Sequence, residues 1–320
     1  MPRRAVESRG SAGAPWFDIV SHGRRGPGKA IQFSRSQLNK IALTVRRAPE
    51  VMVKVSGGGR TTGAVAAHLQ YIGRHGRLNI ETDDGAQLAG RNSINIIKDE
   101  WMLGADRPGH GLEGYGARAT GPRKQVHNVV LSMPVKTAPD KLLAAAKAFA
   151  REQFAFKNRY AMVLHTDQKH PHVHLVVKAI GLDGRPLHID KATLRLWREN
   201  FAGQLRAVGI SANATARATR GRQSRKMSNG LFRLLKRQPW RQSTSFQARA
   251  LAGSTPSGAK WQPYRAGESR RSVDAIAAWE IVRANLESAG ENALAAEVRA
   301  FVAALKGKRA GTTMGRDRGL

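Results

Sequence analysis

The chain of 320 residues contains no cysteine. Disulfides, zinc ribbons, iron–sulfur ligation and thiol nucleophiles are therefore excluded. Acidic residues are scarce, with 23 Asp and Glu against 54 Lys and Arg and a formal net charge of +31. A surplus of that size repels itself until a polyanion neutralises it. Nucleic acid is the expected partner, ahead of an anionic membrane surface. Long apolar runs are also missing. No stretch has the length of a membrane span, and residues 1–17 (MPRRAVESRGSAGAPWF) lack the apolar core of a signal peptide. The expected protein is cytoplasmic and not membrane-inserted. The hydrophobic fraction of 41% is ordinary, enough for a full core plus appendages.

Residues 1–48 are rich in Arg, Gly, Ser and Lys and read as a flexible basic arm. Val51–Val55 is a β-branched strand, ended by Ser56 and Gly57 to Gly59. A helix is expected over Thr61–Arg74 with Val65, Leu69 and Ile72 as its apolar stripe, and a second over residues 92–104. His127–Met133 is a strand, and a helix opens at Pro139-Asp140. Strands over Arg159–His165 and His172–Lys178 flank the turn TDQKHP, and a helix begins at Lys191. The order predicts an α+β fold, an antiparallel β-sheet with flanking helices, over residues 49–214. Residues 215–271 form a basic DNA-binding or linker segment, 272–307 a small C-terminal helical unit and 308–320 a tail. Between Glu199 and Glu268 there is no acidic residue, while Arg217, Arg220, Arg222, Arg225 and Lys226 accumulate. A solvated face is the plain explanation of such a run; phosphate tracking accounts better for its missing counter-charges.

Four of ten histidines lie in His165-Thr-Asp167-Gln-Lys-His170-Pro-His172-Val-His174. On a strand, His172 and His174 share one face and Val173, Leu175 and Val177 the other, core-facing one. If TDQKHP closes a hairpin, His165 lies opposite His172 and three imidazoles can converge on one divalent ion; the plain alternative is a run of half-exposed strand histidines. Asp167 and His170 either orient ligands or a phosphate, or serve turn chemistry. Three neutral nitrogens leave coordination positions for phosphate oxygens and water; all-imidazole ligation favours Zn, Ni or Mn over Mg.

Tyr71 lies off the apolar stripe of its helix, on a flank with His68 and His75. A phenol is a poor nucleophile at neutral pH and needs nearby cationic charge or a base. Helix phase alone leaves both readings open, an ordinary surface tyrosine and an attacking group.

The pattern His165-x-Asp167-x-x-His170-x-His172-x-His174 after a strand resembles the three-histidine motif of conjugative relaxases, in the HUH endonuclease superfamily. The outer spacing is that of the group that includes the T-DNA border endonuclease. Val-Ser-Gly-Gly-Gly-Arg, followed by His-Leu-Gln-Tyr71-Ile-Gly-Arg74-His-Gly, resembles that group's first motif, and His-Asn-Val-Val-Leu-Ser132-Met-Pro its middle one. The resemblance spans about residues 50–220. It implies Tyr71 as nucleophile, His165, His172 and His174 as ligands of a divalent ion (Mg or Mn in use, Zn or Ni as alternatives), and DNA contacts at Ser132 and Arg74. His170 departs from relatives that carry Asn there. The implied activity is strand-specific nicking and rejoining of DNA at an origin of transfer, through a 5′-phosphotyrosine. DNA would be single-stranded at the nick and duplex around it. Accessory relaxosome proteins and a secretion coupling protein are the further partners implied, with passage out of a bacterial cytoplasm alongside the DNA. The competing readings are a metal nuclease that activates water, a non-catalytic DNA-binding mobilisation protein, and a histidine-triad nucleotide hydrolase. The last leaves His165 and Asp167 unexplained.

Overall fold

The computed structural model describes residues 33–103, 123–221 and 265–314. The chain divides into two units, one of residues 48–214 and one drawn from 1–47 and 215–320.

The first unit is built on a six-stranded antiparallel sheet. Its strands are β1 (Met52–Gly57), β2 (Ile80–Thr82), β3 (Gln87–Leu88), β4 (Val126–Ser132), β5 (Tyr160–His165) and β6 (His172–Lys178). The spatial order is β1-β4-β6-β5-β2-β3, with the long, β-branched strands β4 and β6 at the centre. Four helices cover it: α2 (Thr62–Ile72), α3 (Ser93–Glu100), α4 (Pro139–Phe154) and α5 (Lys191–Ala207). The α+β antiparallel architecture expected from the sequence is the one observed.

Strand alternation gives the sheet two apolar faces. On one, Val129, Leu131, Val173, Leu175, Val177 and Met162 pack under α4 and α5. Phe149 is the hub there, with Phe154, Trp197 and Phe201 set edge-on to it at 5.8–6.2 Å between ring centroids. Such geometry adds about 1 kcal/mol per pair to simple burial. Pro139 at the first turn of α4 and Asp190, whose side chain accepts from the Thr193 N–H, fix where these helices start. The histidine-bearing face is a core as well. Val126, Ala161, Val163 and Val176 pack there against Val65, Leu69 and Ile72 of α2 and Ile97 of α3. A period-two pattern shows one apolar face of β6; the second emerges only when β4 and β5 are laid beside it.

Gly58 and Gly59 are there for close approach. A Cβ on Gly58 would sit 2.3 Å from the Val126 carbonyl oxygen, and one on Gly59 2.5 Å from the Val65 side chain. The chain therefore passes from β1 into α2 flush against β4, which sets where α2 lies on the sheet.

The second unit combines α1 (Arg35–Val45), α6 (Arg265–Ser288) and α7 (Asn292–Met314). The expectation of a flexible arm through residue 48 is corrected over Arg35–Val45. Ser34 and Gln37 form a reciprocal capping box, and Ile41 is fully buried among Trp279, Val282, Val298 and Val302. Leu38, Ile41 and Val45 form a helical stripe, with Phe33 just ahead of the helix in the same cluster; their partners in α6 and α7 lie more than 230 residues away, so local composition hid it. Arg46 completes the joint with two hydrogen bonds to Glu297, both 2.8 Å. The C-terminal boundaries shift too. Helix α6 begins at Arg265, inside the segment read as linker, and α7 continues to Met314, into the expected tail. KGKRAGTTM lacks proline, and its glycines, Gly307 and Gly311, are carried inside the helix although they read as a stop in the sequence. Ile41→Ala is expected to destabilise this unit by about 2–5 kcal/mol, the usual cost of emptying a fully buried aliphatic site. Chemical denaturation followed by Trp279 fluorescence would measure it. A cost under about 0.5 kcal/mol would mean that α1 is not part of this core.

Candidate active site

β5 ends at His165 and β6 begins at His172, and the two are direct register partners. His174 follows on the same face as His172. The three ring centroids are 4.6–5.2 Å apart. One ligand nitrogen from each lies within 4.8 Å of the others. His165 and His172 are buried, while His174 is half-buried and open on one side.

Hydrogen bonding fixes what two of the rings offer. His165 Nε2 donates to the Ile72 carbonyl at 2.6 Å, which leaves Nδ1 as its basic nitrogen; Arg74 Nη2 donates to that Nδ1 at 3.2 Å, so the guanidinium must turn aside for an ion to bind there. His172 Nδ1 donates to the His170 carbonyl at 3.0 Å, leaving Nε2. His174 Nδ1 is buried with no hydrogen-bond partner. Protein carbonyls that orient imidazoles in this way are a recurring accompaniment of metal ligation. Three imidazoles with ligand nitrogens this close, and a buried, unpartnered Nδ1 on one of the rings, suit a divalent ion.

Tyr71 stands over this cluster from α2. Its ring is 53% exposed and 6.4 Å from the His174 ring, nearly perpendicular to it. Helix α2 ends at Ile72, whose carbonyl is the one bound by His165, so the same turn positions both groups. Arg74 and His75 then take left-handed backbone angles (φ 50° and 58°) before Gly76 at φ 89°. Two consecutive side-chain-bearing residues in that region carry a conformational cost of about 1 kcal/mol or more each. The reversal folds the Arg74 side chain back over the site. Its Cζ lies 5.2 Å from the Tyr71 ring centroid, and Nη2 donates to Asp167 Oδ2 and, at 3.2 Å, to His165 Nδ1. Hydrogen bonding to Tyr71 first, then to Asp167, holds the guanidinium more firmly charged than usual.

The structure thus brings Tyr71, Arg74, Asp167, His165, His172 and His174 into one site. His170 touches it through its backbone carbonyl, while its imidazole is exposed. Ser132 requires a correction. It pairs with His172 across β4 and β6, is 4% exposed, and donates to the Pro171 carbonyl at 3.3 Å. The DNA contact expected of it is not presented to solvent; its hydroxyl braces the entry to β6. Arg217, exposed, and Arg220, which donates to the Thr215 carbonyl, belong to the helical unit. Arg222, Arg225 and Lys226 lie outside the described residues. His68 is an addition. Its ring lies 6.2 Å from His174 and 6.4 Å from Tyr71, and its Nε2 is buried without a partner. Its spacing of three from Tyr71 was the only signal in the sequence.

Burial pushes the His68, His127 and His165 imidazoles below their ordinary value, and His174 down to about 3. For His174, burial is reinforced by His165 and His172 beside it. The unfolded chain takes up these protons near pH 6.5, whereas the fold resists them until lower pH. The stability of the metal-free protein should therefore be fullest above about pH 6.5 and fall as the pH drops toward 3. Urea midpoints measured between pH 7.5 and 4 should decline accordingly, and a flat profile down to pH 5 would contradict the burial of these rings.

Residues 112–207 match the family model described as relaxase, MobA/VirD2-like, nuclease domain. That stretch contains the three histidines, and Tyr71 precedes it. The resemblance to relaxases read from the motifs is borne out at the level of that group. Among individual proteins, the chain is 26% identical over 234 residues to the T-DNA border endonuclease VirD2 of Agrobacterium fabrum, covering 66% of this chain and 49% of that one. It is 28% identical over 214 residues to the VirD2 of Rhizobium rhizogenes, covering 60% and 46%. The chain spans about half the length of the curated relatives it matches.

Proposed function

We propose that the protein is a relaxase, which nicks one DNA strand at an origin of transfer and can rejoin it. The observation that carries this reading is the Tyr71 ring at 6.4 Å from an imidazole of the three-histidine cluster, with Arg74 beside both. The named relatives are border endonucleases, and the charge of +31 suits a polyanionic substrate.

In the proposed reaction the Tyr71 phenol oxygen bonds to phosphorus as the bond to the 3′-oxygen breaks. The leaving electron pair stays on that oxygen, which takes up a proton. The phenolic proton passes to water. The products are a free 3′-hydroxyl and a 5′-phosphotyrosine, an ester that retains the bond energy and allows rejoining without a nucleotide cofactor. Arg74 puts a cationic charge beside the attacking group, its guanidinium carbon 5.2 Å from the Tyr71 ring centroid. Asp167 holds Arg74, and the Ile72 and His170 carbonyls hold two imidazoles in the required tautomers. His165, His172 and His174 would bind the divalent ion, Mg or Mn in use with Zn or Ni as alternatives; when bound, it withdraws charge from the non-bridging phosphate oxygens. The single strand at the nick and the flanking duplex are the DNA partners. Relaxosome proteins and a secretion coupling protein are further partners under this reading, which places the protein in a bacterial cytoplasm and in transit with the strand. Among the described residues no helix is long and apolar enough to cross a membrane.

The direct test incubates the protein with a randomised single-stranded 40-nucleotide pool and Mn, then resolves the products under denaturing conditions. A covalent protein–DNA species is expected. Cleavage with no such species would favour activated water, and neither product would favour a binding protein.

A further inference from the structure

The register lays two rows of residues across the histidine-bearing face, from the edge strand inward. One row is Met52, Ser132, His172 and His165; the next is Lys54, Val130, His174 and Val163. The inner end of both rows lies against the C-terminal turn of α2, where Ile72 and Arg74 meet His165. The outer end is open among the described residues. Met52 is 49% exposed, Lys54 is exposed and Val130 is half-buried, although the equivalent positions further along the sheet, Val126 and Val176, are fully covered. Among the described residues nothing buries Met52 or Lys54, an apolar and a cationic side chain on the same strip of sheet as the histidine cluster.

In-line displacement assigns this strip a polarity. The entering phenol and the departing 3′-oxygen must lie on opposite sides of the phosphorus. Tyr71 approaches from the β5–β6 side: its ring lies 6.4 Å from that of His174 on β6, and the next residue's carbonyl is bonded to His165 on β5. The departing oxygen therefore points the other way, across β4 toward β1. We infer that the nucleotides on the 5′ side of the nick, those left with the free 3′-hydroxyl, run over Val130 and Met52, with Lys54 neutralising a phosphate next to the scissile one. Lys54 is two strand spacings from His174, roughly 10 Å, a gap that the lysine side chain and an adjacent nucleotide span together. This inference rests on the relaxase reading. It adds which strand arm goes where and which cation receives it.

The test uses the full chain and an uncleaved oligonucleotide joined from two consensus sequences of the randomised pool, that of the 3′ arm held in the covalent adduct and that of the released 5′ arm ending in the 3′-hydroxyl, so that its nick position is known. Lys54→Gln should slow adduct formation about tenfold. It should also reduce the slope of log affinity against log salt by about 0.7, the value of one phosphate contact on a single strand. Lys54→Arg should restore both, and thermal melting should match the wild type. Trimming the oligonucleotide on its 5′ side should erase the difference between variant and wild type, whereas trimming on its 3′ side should preserve it. An unchanged salt slope, or a difference erased by 3′ trimming, overturns the assignment. A wild-type chain that forms no adduct sinks the relaxase reading and this one together; adduct formation indifferent to Lys54 sinks this one alone.

Discussion

Tyr71→Phe should abolish the covalent protein–DNA species and lower nicking by about 10⁴-fold or more, the scale seen when an enzyme loses its nucleophile. The substitution is unusually clean. The ring is 53% exposed and takes no part in either core, so stability should stay within about 0.5 kcal/mol of the wild type. The aromatic face beneath the Arg74 guanidinium is retained, and only the hydroxyl is lost. Affinity for single-stranded DNA should hardly change, since Arg74 and the basic surface are intact. No described tyrosine can substitute. Tyr160 is 5% exposed within the α4–α5 core, on the face of the sheet opposite the histidines. Gel analysis of adduct and nicked product separates the outcomes. A variant that still nicks at the wild-type rate without an adduct would assign the attack to water, and one that still forms the adduct would remove Tyr71 from the role.

The parts of this site that the sequence discloses are those fixed by strand periodicity. His172 and His174 share a face by alternation, and the length of TDQKHP sets His165 opposite His172, as the register shows. Helix phase likewise placed Tyr71 off the Val65–Leu69–Ile72 stripe. What stays hidden depends on partners distant in sequence or on single backbone torsions. The left-handed angles at Arg74 and His75 leave no compositional trace, although they aim Arg74 at Tyr71 and Asp167. A DNA contact at Ser132 is implied only by the resemblance of its segment to the middle relaxase motif; its burial follows from lying beside His172, with its hydroxyl on the Pro171 carbonyl. Strands β2 and β3, three and two residues long, are too short for alternation to register. Helix α1 is amphipathic only against helices more than 200 residues further on.

His174→Ala tests the other half of the mechanism, and its signature differs from that of an ordinary core substitution. Binding of Mn, followed by calorimetry or by the paramagnetic resonance of the free ion, should be lost or weakened at least a hundredfold. Nicking should fall about 10³-fold, equivalent to several kcal/mol of charge stabilisation at the phosphate. Stability should not fall in step. His174 Nδ1 has no hydrogen-bond partner, so truncation orphans nothing on that side. His165→Ala would by contrast leave the Ile72 carbonyl unpaired, at about 1–3 kcal/mol. The imidazole of His174 is also held down to about 3 by burial and by its neighbours, so in the metal-free protein it costs stability at every pH where the unfolded chain would protonate it. Its removal should flatten the acid-side decline of the metal-free protein between about pH 6.5 and 4. A side chain whose loss abolishes ion binding while relieving acid sensitivity is one retained for chemistry at the expense of the fold. If His174→Ala instead binds Mn as tightly as the wild type, the ion does not sit on this trio, and the charge stabilisation must come from Arg74 alone.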